Sequence, residues 1–267
     1  MFNKRKKMKI LITGGAGYIG FHLSQYLLKN KNIKIDILDD LSNSSEILVK
    51  KLKKNKNFDQ FFKINISNSL KLQEIISNNS YDAIIHLAAK IDARESILKK
   101  KKYELNNYIY SKALFDISKM HKVKKLVFAS SAAVYGNTSQ SFVKEDSRCS
   151  PVNPYGYYKL LCEKYLKKSK DYNYVIFRLF NVYGLKKNNI KYFKKKNSVF
   201  FKILGIIKNK KFFYINTTNN KTLDNSYERD FIYINDFCKI IELIVCSKKT
   251  NYTINIGAGR KISILQM

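Results

Sequence analysis

Met8-Lys9-Ile10-Leu11-Ile12-Thr13-Gly14-Gly15-Ala16-Gly17-Tyr18-Ile19-Gly20 decides how the rest of the chain is read. The apolar run Ile10, Leu11, Ile12 predicts a buried parallel strand, and residues 18–28 predict an amphipathic helix, with the glycines between them. In a strand–turn–helix of this kind Gly14 and Gly15 make the tight turn. Gly17 lets backbone N–H groups approach a pyrophosphate, and Gly20 lets the helix pack closely on the strand. An acid, Asp39, ends the next apolar run, 22 residues past Gly17. The pattern and its setting together predict a dinucleotide site, with Gly14, Gly17, Tyr18, Ile19, Gly20 and Asp39 around the cofactor. Asp39 at a strand tip can accept both adenosine ribose hydroxyls, and with Asp40 beside it disfavours a 2′-phosphate, so NAD is expected rather than NADP.

The 267 residues are enough for one large α/β core with a small lobe. A formal charge of +31 would attract polyanions. Only six of the basic residues are Arg, however, and the lysine excess travels with abundant Asn, Ile, Tyr and Phe and only two Pro. A coding sequence rich in A and T produces that mixture everywhere, so the charge reads as a lysine-biased solvated surface and no specific nucleic-acid partner is expected. Cys149, Cys162, Cys238 and Cys246 form no Cys-x-x-Cys pair and have no His at metal spacing, which predicts reduced thiols, no metal and a cytoplasmic protein. No apolar run reaches about 18 residues, so no membrane span is expected. Residues 1–7 read as a basic N-terminal extension.

Beyond residue 39, helices are expected over 45–56 and 67–77, strands over 61–64 and 83–88, and one long helix over 99–120 opening on a four-lysine run. A fifth strand over 125–130 leads into Ser130-Ser131-Ala132-Ala133. His86, inside the fourth strand, reads as a hydrogen-bonded core residue rather than a base. Alternation of strand and helix predicts a Rossmann-type, doubly wound parallel sheet over residues 8–180. Residues 181–267 are expected to form a small, incomplete α/β substrate lobe, with some elements returning to the core. Within them, 186–197 reads as a basic surface loop, 199–208 as a helix, 212–215 as a strand, 236–245 as a helix and 252–256 as a strand. Residues after Gly259 read as the opening of a helix, which suggests a truncated product.

Tyr-x-x-x-Lys occurs four times in this chain, so spacing alone selects nothing. Only Tyr155 and Lys159 follow the strand ending at Ser131, by 24 residues, on a helix whose start is fixed by Pro154. They lie one turn apart on one face. A tyrosine acting as a base near neutral pH needs its pKa lowered from about 10, which a lysine ammonium one turn away and a cationic ring can supply. Ser131, Tyr155 and Lys159 are therefore the candidate catalytic residues, with Ser131 holding a substrate hydroxyl.

Taken in order, Gly14-x-x-Gly17-x-x-Gly20, Asp39, His86-Leu87-Ala88-Ala89, Ser130-Ser131-Ala132, Tyr155-x-x-x-Lys159, Arg178-x-Phe180-Asn181 and Arg229-Asp230-Phe231-Ile232 resemble the extended short-chain dehydrogenase/reductase family. Within it the resemblance is to the NAD-dependent nucleotide-sugar epimerases and dehydratases. Dehydratases carry an acid just after the Ser/Thr where this chain has Ala132 and Ala133, and Thr222-x-Asp224-x-Ser226 is similar to the longer loop of the epimerases acting on UDP-glucose. The resemblance implies NAD, a UDP-hexose inverted at C4 through a 4-keto intermediate, and a homodimer. It also implies cofactor contacts from Asn65, Ile66, Leu87, Ala88, Ala89, Asn107, Tyr155 and Lys159, and substrate contacts from Ser131, Asn181 and Arg229. UDP-glucuronate or an N-acetylated UDP-hexose is the alternative substrate, and a non-catalytic NAD-binding module the alternative of another class. Asn65 stands where the family usually has Asp, Tyr110 where it has glycine and Leu179 where some members have Tyr.

Overall fold

The computed structural model describes residues 7–138, 140, 142–169, 171–185, 189, 192–193, 199–209 and 226–266. The extension over 1–6 and the strand expected over 212–215 lie outside them, as do Thr222 and Asp224. The described strands are β1 (Met8–Thr13), β2 (Ile33–Leu38), β3 (Phe58–Phe62), β4 (Ala83–His86), β5 (Leu126–Ser131), β6 (Tyr174–Leu179), β7 (Asn181–Tyr183), β8 (Glu228–Tyr233), β9 (Tyr252–Ile256) and β10 (Lys261–Ser263). The helices are α1 (Tyr18–Leu27), α2 (Glu46–Lys53), α3 (Ser69–Ser77), α4 (Ala93–Leu98), α5 (Lys100–Glu104), α6 (Tyr110–Met120), α7 (Pro154–Lys168), α8 (Val199–Asn209) and α9 (Ile234–Cys246).

Seven strands form one sheet in the order β3-β2-β1-β4-β5-β6-β9, every neighbour parallel. This is the doubly wound arrangement the sequence predicts, and its order reverses between β1 and β4. A crevice outside the carboxyl ends of those two strands is where such sheets bind ligands. The strands are apolar on both faces because helices cover both: Ile10, Ile12, Ile35 and Ile37 belong to one buried cluster, Leu11, Leu38, Ile84 and Phe128 to the other. The smaller sheet, β10-β8-β7, stands beside the carboxyl edge. β9 returns to the large sheet, pairing with β6 from Val175↔Tyr252 to Leu179↔Ile256.

Three local readings differ from the structure. Residues 93–120 are not one helix opening at Lys99. Asp92 caps α4 by accepting from Arg94 and Glu95 N–H, and a π-helical turn over Leu105–Ile109 separates α5 from α6. Residues 186–197 include core: Phe193 is buried with its ring 6.1 Å from Phe21, and Lys51 sits 4.4 Å over the Tyr192 ring while donating to Asn189 Oδ1. Burial of a large aromatic ring is favourable enough to draw a lysine-rich sequence onto the core. After Gly259 the chain forms β10 rather than a helix, antiparallel to β8 with Ile262↔Arg229.

His86 is a core residue, as read. Fully buried in β4, it bridges Thr13 Oγ1 (2.7 Å) and Ser111 Oγ (2.9 Å) and stacks on Phe128. Burial, then the charge of Lys159, lowers its pKa to about 3. The unfolded chain binds a proton near pH 6.5 that the folded chain refuses until about 3, so stability falls as pH drops through that window. Between pH 7 and 4.5 the native protein should lose about 2–3 kcal/mol through this residue. Denaturant melts at the two pH values should show that loss shrinking in His86→Gln.

Candidate functional site

The turn after β1 is built by close backbone approach. Gly14 has φ +69°, and a Cβ there would sit 2.8 Å from Ala88 N, at the mouth of β4. Only glycine permits both. A Cβ on Gly20 would lie 2.2 Å from Gly14 O, so that glycine sets how deeply α1 seats under the turn. The N-cap of α1 is Gly17, which brings no side-chain cap, and the first N–H groups of the helix are left for a ligand. An uncapped helix start beside a positive-φ glycine has the donors and positive potential that suit a pyrophosphate. Gly20→Ala should weaken NAD binding at least tenfold, since the methyl must displace the carbonyl that shapes the cradle; titration calorimetry reads it directly.

Asp39 closes the far side. Its Oδ2 accepts from Ala16 N (3.0 Å) and its Oδ1 from Leu41 N and Ser44 Oγ (both 2.8 Å), which fixes the carboxylate and leaves lone pairs for hydroxyl donors. Asn65 donates through Nδ2 to Asp40 Oδ2 (2.5 Å) and accepts from Ser67 N (2.9 Å). An aspartate at 65 would set two carboxylates against each other, so the departure to Asn matches Asp40. Burial raises the Asp40 pKa, but the Ser42 hydroxyl and N–H, the Asn65 amide and the charge of Lys90 together hold it below the usual range. Ile66 is buried against the second core cluster, and Ile19 packs on the first. Tyr18 turns its side chain away from the turn: its hydroxyl donates to Gly184 O (2.6 Å) and its ring meets Phe201 edge-on.

The β4–α4 connection carries Leu87, Ala88 and Ala89. Leu87 N donates to Thr13 O (3.1 Å), which ties the connection to β1. Asn107, fully buried in the π-turn, grips it further on, accepting from Lys90 N and donating to Lys90 O, both at 2.8 Å. Asn107 therefore acts on this site through the loop it holds. At the other end of the connection the buried Ser96 hydroxyl accepts from Tyr155 N (3.2 Å) and donates to Ala93 O (2.6 Å), joining α4 to the first turn of α7.

That turn starts where proline and Asn153 put it: Pro154 is its first residue, and Asn153 Oδ1 accepts from Gly156 N (2.9 Å). Gly156 is required, because a Cβ would meet Ala133 O at 2.4 Å. The close packing brings Tyr155 towards Ser131 at the end of β5. Burial pushes the Tyr155 pKa up, and the nearby Ser131 hydroxyl opposes it. Lys159 lies below, buried, with Nζ 2.6 Å from Ala129 O and 4.8 Å from the centre of the Phe128 ring. Burial pulls its pKa down to about 8, against the raising influence of Cys162 and Glu163. In the protein alone the phenol is thus held neutral near pH 7.

Asn181 and Arg229 sit on the small sheet. Asn181 pairs with Phe231 in the β7–β8 register and donates to Asp230 O (3.2 Å). Arg229 lies two residues earlier on β8, exposed, with its guanidinium 5.3 Å from the Tyr227 ring. Asp230 fixes this end of β8 by accepting from Ala258 N (2.7 Å) and Gly259 N (2.9 Å).

A profile of the NAD dependent epimerase/dehydratase family matches residues 10–257. The chain belongs to that family. It is 33% identical to the dTDP-D-glucose 4,6-dehydratase of Dictyostelium discoideum over 97% of its own length and 60% of that protein's. To the UDP-glucose 4-epimerase of the same organism it is 31% identical over 97% of its length and 79% of the relative's. Among solved structures, the UDP-glucose-4-epimerase of Stenotrophomonas maltophila with bound NAD and formylated UDP-arabinopyranose superposes with a TM-score of 0.88 at 26% identity, over 97% of this chain and 80% of that one. The chain spans about three-fifths of the length of the first relatives it matches. NAD is the cofactor of the family, and the bare α1 N-terminus, the Gly14 turn and the Asp39 carboxylate fit it.

Family membership also gives weight to residues the sequence reading passed over. Lys90, one place beyond Ala89, is clasped by Asn107 and projects its charge on Asp40. Ser96 and Glu163 support Tyr155 and Lys159 from behind, and only the i+4 spacing of Glu163 from Lys159 signalled either. No helix among the described residues is long and apolar enough to cross a membrane, and no cluster of three metal-ligating side chains occurs among them. All four cysteines are free thiols.

Proposed function

We propose that this protein inverts C4 of a UDP-hexose, with UDP-glucose and UDP-galactose as the pair it interconverts. The observation that carries the reading is the placement of Tyr155 and buried Lys159 one turn apart on α7 against the end of β5, with Lys159 Nζ 2.6 Å from Ala129 O and Ser131 closing the same strand, at the carboxyl edge beside the dinucleotide turn. Bound NAD would supply a site that takes a hydride from C4 and returns it. Tyr155 would hold the 4-hydroxyl proton during oxidation and give it back on reduction, and Ser131 would steady the oxygen in both directions. Lys159 would hold the cofactor ribose and favour the phenolate. Asn181 and Arg229 would grip the UDP diphosphate, concentrating binding energy away from the reacting carbon so that the flat keto-sugar can turn over.

Ala132 and Ala133 favour epimerisation over dehydration. They form a short 3₁₀ turn after β5 and place no acid next to Ser131, whose Oγ instead accepts from Ala133 N (3.2 Å). Residues 8–180 would then carry the dinucleotide and 181–267 the sugar nucleotide. Two copies would meet through α6 and α7, where Tyr157 is 47% exposed. The test is incubation of the purified chain with NAD and UDP-galactose. Appearance of UDP-glucose supports the proposal; NAD binding without conversion of any UDP-hexose, UDP-glucuronate and N-acetylated forms included, leaves a cofactor-binding module instead.

A further inference from the structure

Helix α7 is tied to the end of β5 at three levels. Tyr155 meets Ser131, Lys159 Nζ donates to Ala129 O at 2.6 Å, and the Ser130 hydroxyl donates to Glu163 Oε1. Residues 155, 159 and 163 share one helix face, and residues 129–131 are the last three of the strand. The lowest tie is the most firmly anchored. Glu163 is fully buried and receives Arg178 Nη2 at 2.7 Å and Nε at 3.0 Å, while Arg178 Nη1 is spent on Tyr135 Oη and Glu145 O, both at 2.9 Å. The carboxylate is therefore a fixed point, and Ser130, 4% exposed, is the strand residue attached to it.

We infer that Ser130 is a positioning residue: its hydroxyl, seated on the Arg178-pinned Glu163, fixes the height of the β5 end against α7 and so places Ser131 against the Tyr155 phenol. The inference rests on the reading of Ser131 and Tyr155 as the catalytic pair. A hydroxyl one residue from the reacting group, bonded to an immobile anion, sets that group's place more tightly than the backbone of a strand end does.

The experiment places 3,5-difluorotyrosine at position 155 of the full chain and follows its ionisation by fluorine NMR, without cofactor or sugar. The nearby Ser131 hydroxyl works against the upward push of burial on this phenol. In Ser130→Ala the Ser131 hydroxyl should draw away from the phenol and the transition should move to higher pH, while Ser130→Thr, which keeps the hydroxyl at 130, should restore it. In the unlabelled protein, Ser130→Ala should lower kcat about tenfold with KM and NAD affinity within about twofold. Should Ser130→Ala fail to fold, Ser130→Cys, a weaker donor of similar size, is read in the same way. A transition that stays put in the folded variant overturns the inference. Absence of turnover in the parent chain sinks the proposed function alone, because the titration is read without substrate.

Discussion

Tyr155→Phe should abolish measurable epimerisation, with kcat down by 10²- to 10⁴-fold or more as expected for loss of an acid–base group, while NAD affinity stays within about twofold. The separation follows from where the phenol sits. Its ring is packed at the first turn of α7, whose position is set by Pro154, Asn153, Gly156 and the Ser96 bond to the backbone N–H of residue 155, and phenylalanine keeps all four. Only the hydroxyl goes, so the fold and the Gly14–Asp39 cradle remain. Stopped kinetics of UDP-galactose conversion and calorimetric titration of NAD measure the two quantities independently. Turnover near the parent value would remove Tyr155 from the chemistry, and loss of both quantities together would show that the phenol serves the cofactor site instead. Burial brings the Lys159 pKa down to about 8, so parent and variant should be compared well below that pH, where the group is charged in both.

What could be read without coordinates was whatever depends on local chemistry. The turn announces itself because a Cβ at Gly14, Gly15 or Gly20 would run into neighbouring atoms, and the strands because a sheet covered on both faces needs unbroken apolar runs. Tyr155 is separable from three other Tyr-x-x-x-Lys matches because only it follows the strand ending at Ser131, on a helix whose start Pro154 fixes. The rest depended on partners far along the chain. The π-turn at Leu105–Ile109 adds a residue without a breaker, so the segment still reads as continuous helix, and its purpose, aiming Asn107 at Lys90, is visible only across 17 residues. Phe193 was hidden by its lysine-rich surroundings, and Lys261–Ser263 by the lack of any local sign that β8 offers an edge there. The pairing of Glu163 with Arg178 joins a helix to a strand and carries no sequence signature beyond two charges in segments that bury almost none.

That pair supports the second large effect. Glu163→Gln should destabilise the protein by about 3–5 kcal/mol, the usual cost of removing one partner from a buried ion pair. The Glu163 side chain has no exposure and that of Arg178 has 2%, with three hydrogen bonds between them. Glutamine is nearly isosteric and its Oε1 can still accept from Ser130, but its amide NH2 then faces Arg178 Nη2, so the change removes the negative charge and one acceptor together while packing is kept. Arg178 cannot escape by shedding its proton: burial alone would lower its pKa, but the native carboxylate and Tyr135 hold it above its ordinary range, and a guanidinium stays charged regardless. Removing both charges, in Glu163→Gln with Arg178→Gln, should recover part of the loss, because the penalty belongs to the stranded cation. Urea unfolding of parent, single and double variants measures the sequence of stabilities. A single variant within 1 kcal/mol of the parent would mean that Arg178 finds water or another acceptor, and the fixed point beneath Ser130 would then have to be sought elsewhere.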